Sequence, residues 1–520
     1  MKAVQMSRGE GGVRPAPGPD WERGRLVPAS CCGDGTSPLP GGRAASAARM
    51  RRRDFLKLAG LGAAALGLPG SGACAGPDSK GTEKRKPRRP NFVFFLTDDQ
   101  PYLGMGCTGN PVLKTPNMDQ LAREGVLFEK AFVTTSICCC SRASIYTGQH
   151  MRRHGIEDFE KPLSAAQWRQ TFPALLRQAG YRTAFLGKYA IGSPKGDREL
   201  ALPADQFDLW YGFPQGIAFK QQENGKDRYL TTVMTEKAVD FLKTTKADQP
   251  FCLIVALKEP HGPLDYFDPE FPDAYKDAAI PLPGNLTRAS FEALPGAVRD
   301  SLGAMPSWLN NPTAYQAAMR KNYAYISRAD LAVGQIREAL ARQGLEQDTV
   351  VIHMSDNGSM EGAHGLSGKW LMYEESIHVP LIVRDPRLPA STHGRRTQMA
   401  LNIDLAPTIL AMAGVPVPAG MQGEDLQPVL RDPRARGRED WYYEHVYTTP
   451  PSRRAIPKCE GIRTARWKYI RYTEPKPPLE QLFDLVADPH EEKDLARDPA
   501  QAETLARLRA RCDECRIALK

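Results

Sequence analysis

The chain has 520 residues, 25% of them charged and 41% hydrophobic, which suits a globular protein with one large core and a smaller appendage. Its net charge of +9 is concentrated at one end: residues 1–89 hold 17 Lys/Arg and 7 Asp/Glu, a balance of +10. The remainder therefore carries 52 basic and 53 acidic residues, a balance of −1, and composition gives no case for a nucleic-acid partner.

Residues 1–49 are rich in Gly, Pro and Arg without periodicity, and read as a start upstream of the true one at Met50, disordered if made. Met50-Arg51-Arg52-Arg53-Asp54-Phe55-Leu56-Lys57 then precedes an apolar run at 58–68, and Ala73-Cys74-Ala75 offers a small-residue cleavage site. Residues 50–75 resemble a twin-arginine export signal, which implies a periplasmic or secreted protein. The apolar run is too short and too rich in Gly and Ala to cross a bilayer, so no transmembrane span is expected. Cys74 is an alternative point of lipid attachment, although no leucine stands three residues before it. A basic linker occupies 76–89.

Strands are expected at 91–96, 183–186, 251–257, 349–354 and 379–383, where short apolar runs end in polar clusters. Helical patterns fill the gaps at 117–124, 168–179, 232–244 and 323–343, and another closes the region at 404–413. Strands alternating with helices predict an α/β domain over 90–415, with a large, mixed, mostly parallel sheet between helices. Residues 416–520 open Pro- and Arg-rich, then offer strand candidates WKYIRY and LFDL and a terminal helix: a small α+β subdomain. Ligands of parallel sheets gather at the carboxyl ends of strands, where the polar clusters fall. Loops at 193–223, 265–312 and 447–460 are the expected substrate walls.

Asp98-Asp99 directly follow the first strand, and Asp356-Asn357 follow another. Adjacent carboxylates at a buried strand end are costly unless a cation lies between them. Oxygen donors of this kind suit Ca²⁺, or Mg²⁺ as the second choice, over zinc. Each pair alone is an ordinary turn sequence. Lys188, His261 and Lys369 also sit just past apolar runs or in Gly-rich loops, and singly each reads as a solvated side chain. Together, two lysines, a cation and a histidine are what a tetrahedral oxyanion ester needs: point charges on its oxygens, polarisation, and a proton for the leaving group.

Residues 138–148 read CCCSRASIYTG. This run resembles the type I sulfatase signature C-x-P-S-R-x-x-x-x-T-G of the alkaline phosphatase superfamily. PNFVFFLTDDQ, GYRTAFLGK, EPHGP, SDNG, HGLSGK, YEESIHVP, DLAPTIL and LFDLVADPHEEKDLA agree with it in order and spacing, over roughly residues 90–498. The resemblance implies a sulfuric ester hydrolase acting on a sulfated carbohydrate. It implies that Cys138 is converted by a formylglycine-generating enzyme to formylglycine, whose hydrated aldehyde attacks sulfur and whose second hydroxyl expels sulfate. It further implies calcium at Asp98, Asp99, Asp356 and Asn357, Arg142 holding the diol, Lys188 and Lys369 on the sulfate, and His261 as general acid.

Two departures stand out. Cys140 occupies a place where the family usually carries Pro or Ala, and Ala190 one where it often carries a histidine; His364 at the substrate, or a group from a different loop, is the expected substitute. Cys139 and Cys140 are expected to pack, since adjacent cysteines are poor disulfide partners. Cys512 and Cys515 suggest at most a local disulfide and make a poor zinc site. Two other functions remain open at this point: phosphoester or phosphonate hydrolysis on the same fold, and an inactive protein that binds sulfated glycans.

Overall fold

The computed structural model describes residues 89–193, 202–223, 225–246, 248–266 and 274–520. The expected export signal, Cys74 and nearly all of the basic linker lie outside the described residues, as do parts of two expected substrate walls, 194–201 and 267–273.

Strand β1 (Asn91–Asp98) is buried throughout because both of its faces are covered. Phe92, Phe94 and Leu96 enter one apolar core, Val93 and Phe95 another. Around it stand β2 (Val126–Phe132), β3 (Arg182–Lys188), β4 (Leu209–Phe213), β5 (Phe251–Pro260), β6 (Thr349–Ser355), β7 (Leu381–Arg384) and β8 (Gly394–Leu401). Their spatial order is β8-β2-β7-β6-β1-β5-β3-β4. Neighbours run parallel except where β7 inserts antiparallel between β2 and β6. The continuous apolar runs of β1, β5 and β6 are those of strands buried on both faces.

One face carries α1 (Pro116–Arg123), α4 (Leu230–Lys243) and α5 (Pro312–Arg342), whose Leu121, Met234, Val333 and Ile336 meet Val93 and Phe95. The other carries α2 (Cys138–Thr147), α3 (Phe172–Gln178) and α6 (Leu405–Met412), with Ile145, Leu176 and Ile409 against Phe92 and Phe94. Helix α5 begins at Pro312 rather than 323, because the Asn311 side chain caps Ala314 N and Pro312 suits the first turn. Its extra turns show only Tyr315 and Met319 buried, too sparse a stripe to read as periodicity. The helix expected at 168–179 is divided: a short turn, Ala165–Trp168, ends before α3, and Thr171 between them is extended. Strand β2 carries Glu129-Lys130 in its middle and β8 carries Arg395-Arg396, charges that hide both from an apolar pattern.

A second sheet follows, an antiparallel meander of β9 (Asp440–His445), β10 (Cys459–Thr464), β11 (Trp467–Tyr472) and β12 (Leu479–Asp484). Tyr443, Ile470, Tyr472 and Phe483 join the core of the large sheet. Tyr442, Ile462, Tyr469 and Leu482 receive helix α7 (Ala502–Ala518) through Leu508, Cys512 and Cys515. Cys512 and Cys515 are unpaired thiols that pack, as are Cys139 and Cys140. Among the described residues, no helix is long and apolar enough to cross a membrane.

Candidate active site

Four neighbouring parallel strands deliver their polar ends to one place. β1 ends at Asp98 and Asp99, β6 leads into Asp356 and Asn357, β3 ends at Lys188, and β5 turns through Pro260 into His261. Asp99 has φ 70°, a left-handed conformation that aspartate tolerates better than most residues. Gly187 lets β3 come close enough: it has φ +104°, and a Cβ there would lie 2.0 Å from the Ala256 carbonyl oxygen.

Cys138 opens α2 and is 1% exposed. Its thiol donates to Asp98 Oδ1 at 3.2 Å and accepts from Lys369 Nζ at 2.9 Å. Lys188 Nζ donates to Asp98 Oδ2 and Lys369 Nζ to Asp99 Oδ1. One helical turn beyond Cys138, Arg142 is fully buried. Its Nε donates to Asp356 Oδ2 at 2.8 Å, its Nη1 to the Lys188 carbonyl, and its Nη2 lies 3.9 Å from Asp98 Oδ1. His261 Nε2 is 3.8 Å from Asp99 Oδ2, and its Nδ1 is 2.5 Å from the Gly262 carbonyl oxygen. Asn357 Nδ2 donates to Asp99 Oδ1 at 2.6 Å, while its buried Oδ1 has no hydrogen-bond partner.

The structure thus gathers Asp98, Asp99, Cys138, Arg142, Lys188, His261, Asp356, Asn357 and Lys369. It does not bring His364 to them. That ring is buried against Tyr373 with centroids 4.9 Å apart, and the charges facing it are Glu492, Lys468, Asp488 and His490. Burial lowers its pKa to about 4, so it is a neutral packing group here, in place of the expected substrate contact. Ala190 is buried at φ 65°, and the geometry supplies no histidine in its stead from position 364.

Charge balance explains the local electrostatics. Burial alone would raise the Asp98 carboxyl, but Lys188, His261, Arg142 and Lys369 hold it well below the usual carboxylate range. Asp356 is pushed up to about 7 by burial and by the Asp98 charge, against the pull of Arg142. Burial, reinforced by Asp98, also pushes the Cys138 thiol upward, so the unaltered side chain stays protonated and is a poor nucleophile at neutral pH. Asp98, Asp99, Cys138 and His261 bring ligand atoms within 4.8 Å of one another, a candidate metal site.

The sequence pattern gives Lys258 no distinction, because a lysine closing an apolar run reads as a strand reaching the surface. In the fold it is only 4% exposed and stands three residues before His261.

A buried cysteine beneath three carboxylates and three cations, at the carboxyl edge of a parallel sheet, is an arrangement suited to tetrahedral oxyanion esters. The chain belongs to the sulfatase family and is a sulfuric ester hydrolase: the family profile described as Sulfatase matches residues 90–415. A second, described as N-sulphoglucosamine sulphohydrolase, C-terminal, matches residues 362–518. The chain is 29% identical over 493 residues to an N-acetylglucosamine-6-O-sulfatase of Bacteroides thetaiotaomicron, covering 81% of this chain and 84% of that protein. It is 31% identical over 371 residues to human N-acetylglucosamine-6-sulfatase, covering 66% of this chain and 65% of that one. Among solved structures, one holding its substrate D-glucosamine-2-N,6-O-disulfate superposes with a TM-score of 0.72 at 27% identity, covering 83% of this chain and 98% of that one.

Proposed function

We propose that the protein removes sulfate from a sulfated, hexosamine-containing carbohydrate, using formylglycine made from Cys138 and a bound calcium ion. The observation that carries the reading is the position of Cys138 Sγ, 3.2 Å from Asp98 and 2.9 Å from Lys369 at the head of a buried helix. The sugar class rests on the relatives, two of them N-acetylglucosamine sulfatases.

Asp98, Asp99, Asp356 and Asn357 fit a hard cation. All four offer oxygen, the Asn357 oxygen is buried without a partner, and the two carboxylates of Asp98 and Asp99 otherwise lean on lysine ammoniums. Bound there, calcium (or magnesium, the second candidate) supplies Lewis-acid polarisation of a sulfate oxygen. The hydrated aldehyde at position 138 supplies two hydroxyls on one carbon, which a cysteine or serine lacks. Arg142, fixed by Asp356, orients that side chain. Lys188 and Lys369 exchange their carboxylate partners for sulfate oxygens, neutralising charge that builds during transfer. His261 gives its Nε2 proton to the departing alcohol oxygen, its ring held by the Nδ1–H donated to the Gly262 carbonyl. Burial lowers the His261 pKa, opposed by Asp98.

The test pairs maturation with turnover. Protein produced alongside a formylglycine-generating enzyme, then fractionated by compartment, should reach the periplasm or medium. It should show an aldehyde at Cys138 by peptide mass spectrometry and cleave sulfate esters faster than matched phosphate esters. A faster phosphate ester would favour phosphoester or phosphonate hydrolysis. Unmodified Cys138 with no turnover would favour a sulfated-glycan-binding role, a cytoplasmic product would remove the export reading, and active protein without the aldehyde would remove the mechanism.

A further inference from the structure

Lys258 is a buried cation for which the reaction described above has no use. Its backbone carbonyl accepts from His261 N at 2.9 Å, closing a turn that brings the two α-carbons within about 7 Å. The ammonium lies 4.0 Å from the centroid of the Phe219 ring. That ring is itself locked, stacked on Tyr229 at 5.5 Å and edge-on to Tyr325 at 4.6 Å. Among the described residues, no carboxylate lies within ion-pair distance of the Lys258 ammonium and no acceptor within hydrogen-bond distance. The adjacent Glu259 is engaged elsewhere, accepting from Thr231 Oγ1 on α4. An aromatic face compensates an ammonium only in part. Burial accordingly depresses its pKa, while Glu259 and the exposed Asp265 raise it and Lys188 lowers it. The hydrogen bond from His261 N ties Lys258 and His261 into one turn at the strand end that delivers His261 to the site, and Lys188 and Asp98 are among the charges that act on Lys258.

We infer that Lys258 is a specificity residue whose ammonium receives a second anionic substituent, a carboxylate or a further sulfate, on the leaving-group side of the ester. The inference rests on the sulfate-ester reading above and names a substrate class within it: esters with at least two negative charges. Lys188 and Lys369 serve the sulfate being transferred, and Lys258 serves the portion that leaves.

The test uses mature wild-type enzyme and Lys258→Met, which keeps the apolar stem on Phe219 but removes the charge. Two substrate pairs are compared: 4-nitrophenyl sulfate with its ring-carboxylated analogue, and N-acetylglucosamine 6-O-sulfate with glucosamine 2-N,6-O-disulfate. The wild type should prefer the doubly charged member of at least one pair by about tenfold or more in kcat/KM, the scale of one charge-assisted contact. Lys258→Met should erase that preference through KM, leaving the singly charged member within about twofold, and Lys258→Arg should restore part of it. Equal losses on both members would mark Lys258 as structural and overturn the inference. A wild type without preference in either pair would do the same. Turnover of none of the four sulfates, with the aldehyde present, would remove the sulfatase reading and this inference with it.

Discussion

Five positions separate Lys369 from Glu374, yet these residues belong to two buried charge clusters built on opposite plans. Glu374 lies in a closed one. Lys468, fully buried, stands 2.7 Å from Glu374 Oε1 and 2.7 Å from Glu491 Oε1. Arg463 Nη2 stands 3.2 Å from Glu374 Oε2, and Glu491 Oε2 accepts from Glu374 N at 2.7 Å. Both contacts of Lys468 are of charge alone, since its Nζ makes no hydrogen bond. Against the effect of burial, Arg463 and Lys468 hold Glu374 well below the usual carboxylate range. The other cluster has a similar charge count but keeps an open rim, with the His261 side chain 35% exposed and the Asn357 oxygen unpartnered. Closure welds the second sheet to the first; openness leaves cations free to change partners. Buried charge and unpartnered atoms occur in both clusters; what sets the site apart is the exposed rim at His261.

The widest separation between the clusters should come from Cys138→Ala. Removing that side chain should cut sulfate-ester turnover by a factor on the order of 10³ or more. It should shift the apparent Tm by no more than a few degrees, because only one small buried group is lost. Turnover assays and thermal unfolding read the two effects. A variant that unfolds would mean the open cluster also carries the fold.

Lys468→Met should do the reverse. Two glutamates lose their shared cation, at a cost of about 3–5 kcal/mol for breaking a buried pair. The apparent Tm should fall clearly, while the protein still folded at 25 °C keeps kcat within about twofold. Loss of turnover at unchanged Tm would join the two clusters into one functional unit.

The smallest effect concerns a carboxylate with no cation beside it. Asp330 on α5 accepts from Met118 N at 2.7 Å and from Asn117 N at 3.1 Å, tying down the start of α1. Burial raises its pKa from 3.8 to about 6, against the pull of those hydrogen bonds. A carboxyl whose folded pKa exceeds its unfolded one contributes stability that is full below about pH 4 and fades as pH rises through about 6. Relative to Asp330→Asn, the wild type should therefore lose about 2–3 kcal/mol between pH 4 and pH 7. Paired denaturation curves at those two pH values check the sign; a constant difference would show that Asp330 does not titrate in that window.

Much of this was legible in the sequence because strands buried on both faces have only one way to be written. NFVFFL, FCLIVAL and TVVIHM are unbroken apolar runs, and each delivers polar residues to the edge where the site forms. Edge and half-covered strands are less plain: Arg395 and Glu129, which pair across β8 and β2 at 3.1 Å, look like loop residues until the partner strand is known. His364 shows a different limit. Its Gly-rich setting matched that of a substrate-binding loop, but its ring packs on Tyr373, and the charges that act on it, Lys468, Asp488, His490 and Glu492, come from far along the chain, a long-range event that no local pattern encodes. Lys258 was hidden for the converse reason, since only the aromatic cluster around Phe219 turns a strand-end lysine into a confined charge.

The three thiols of Cys138, Cys139 and Cys140 occupy the first turn of α2 with at most 1% exposure, and their helix is walled in by both sheets. No other macromolecule can grip that segment once the walls are up. An enzyme that converts Cys138, as proposed above, would therefore have to meet it before that helix is packed, so the competence of each molecule would be settled ahead of its final shape.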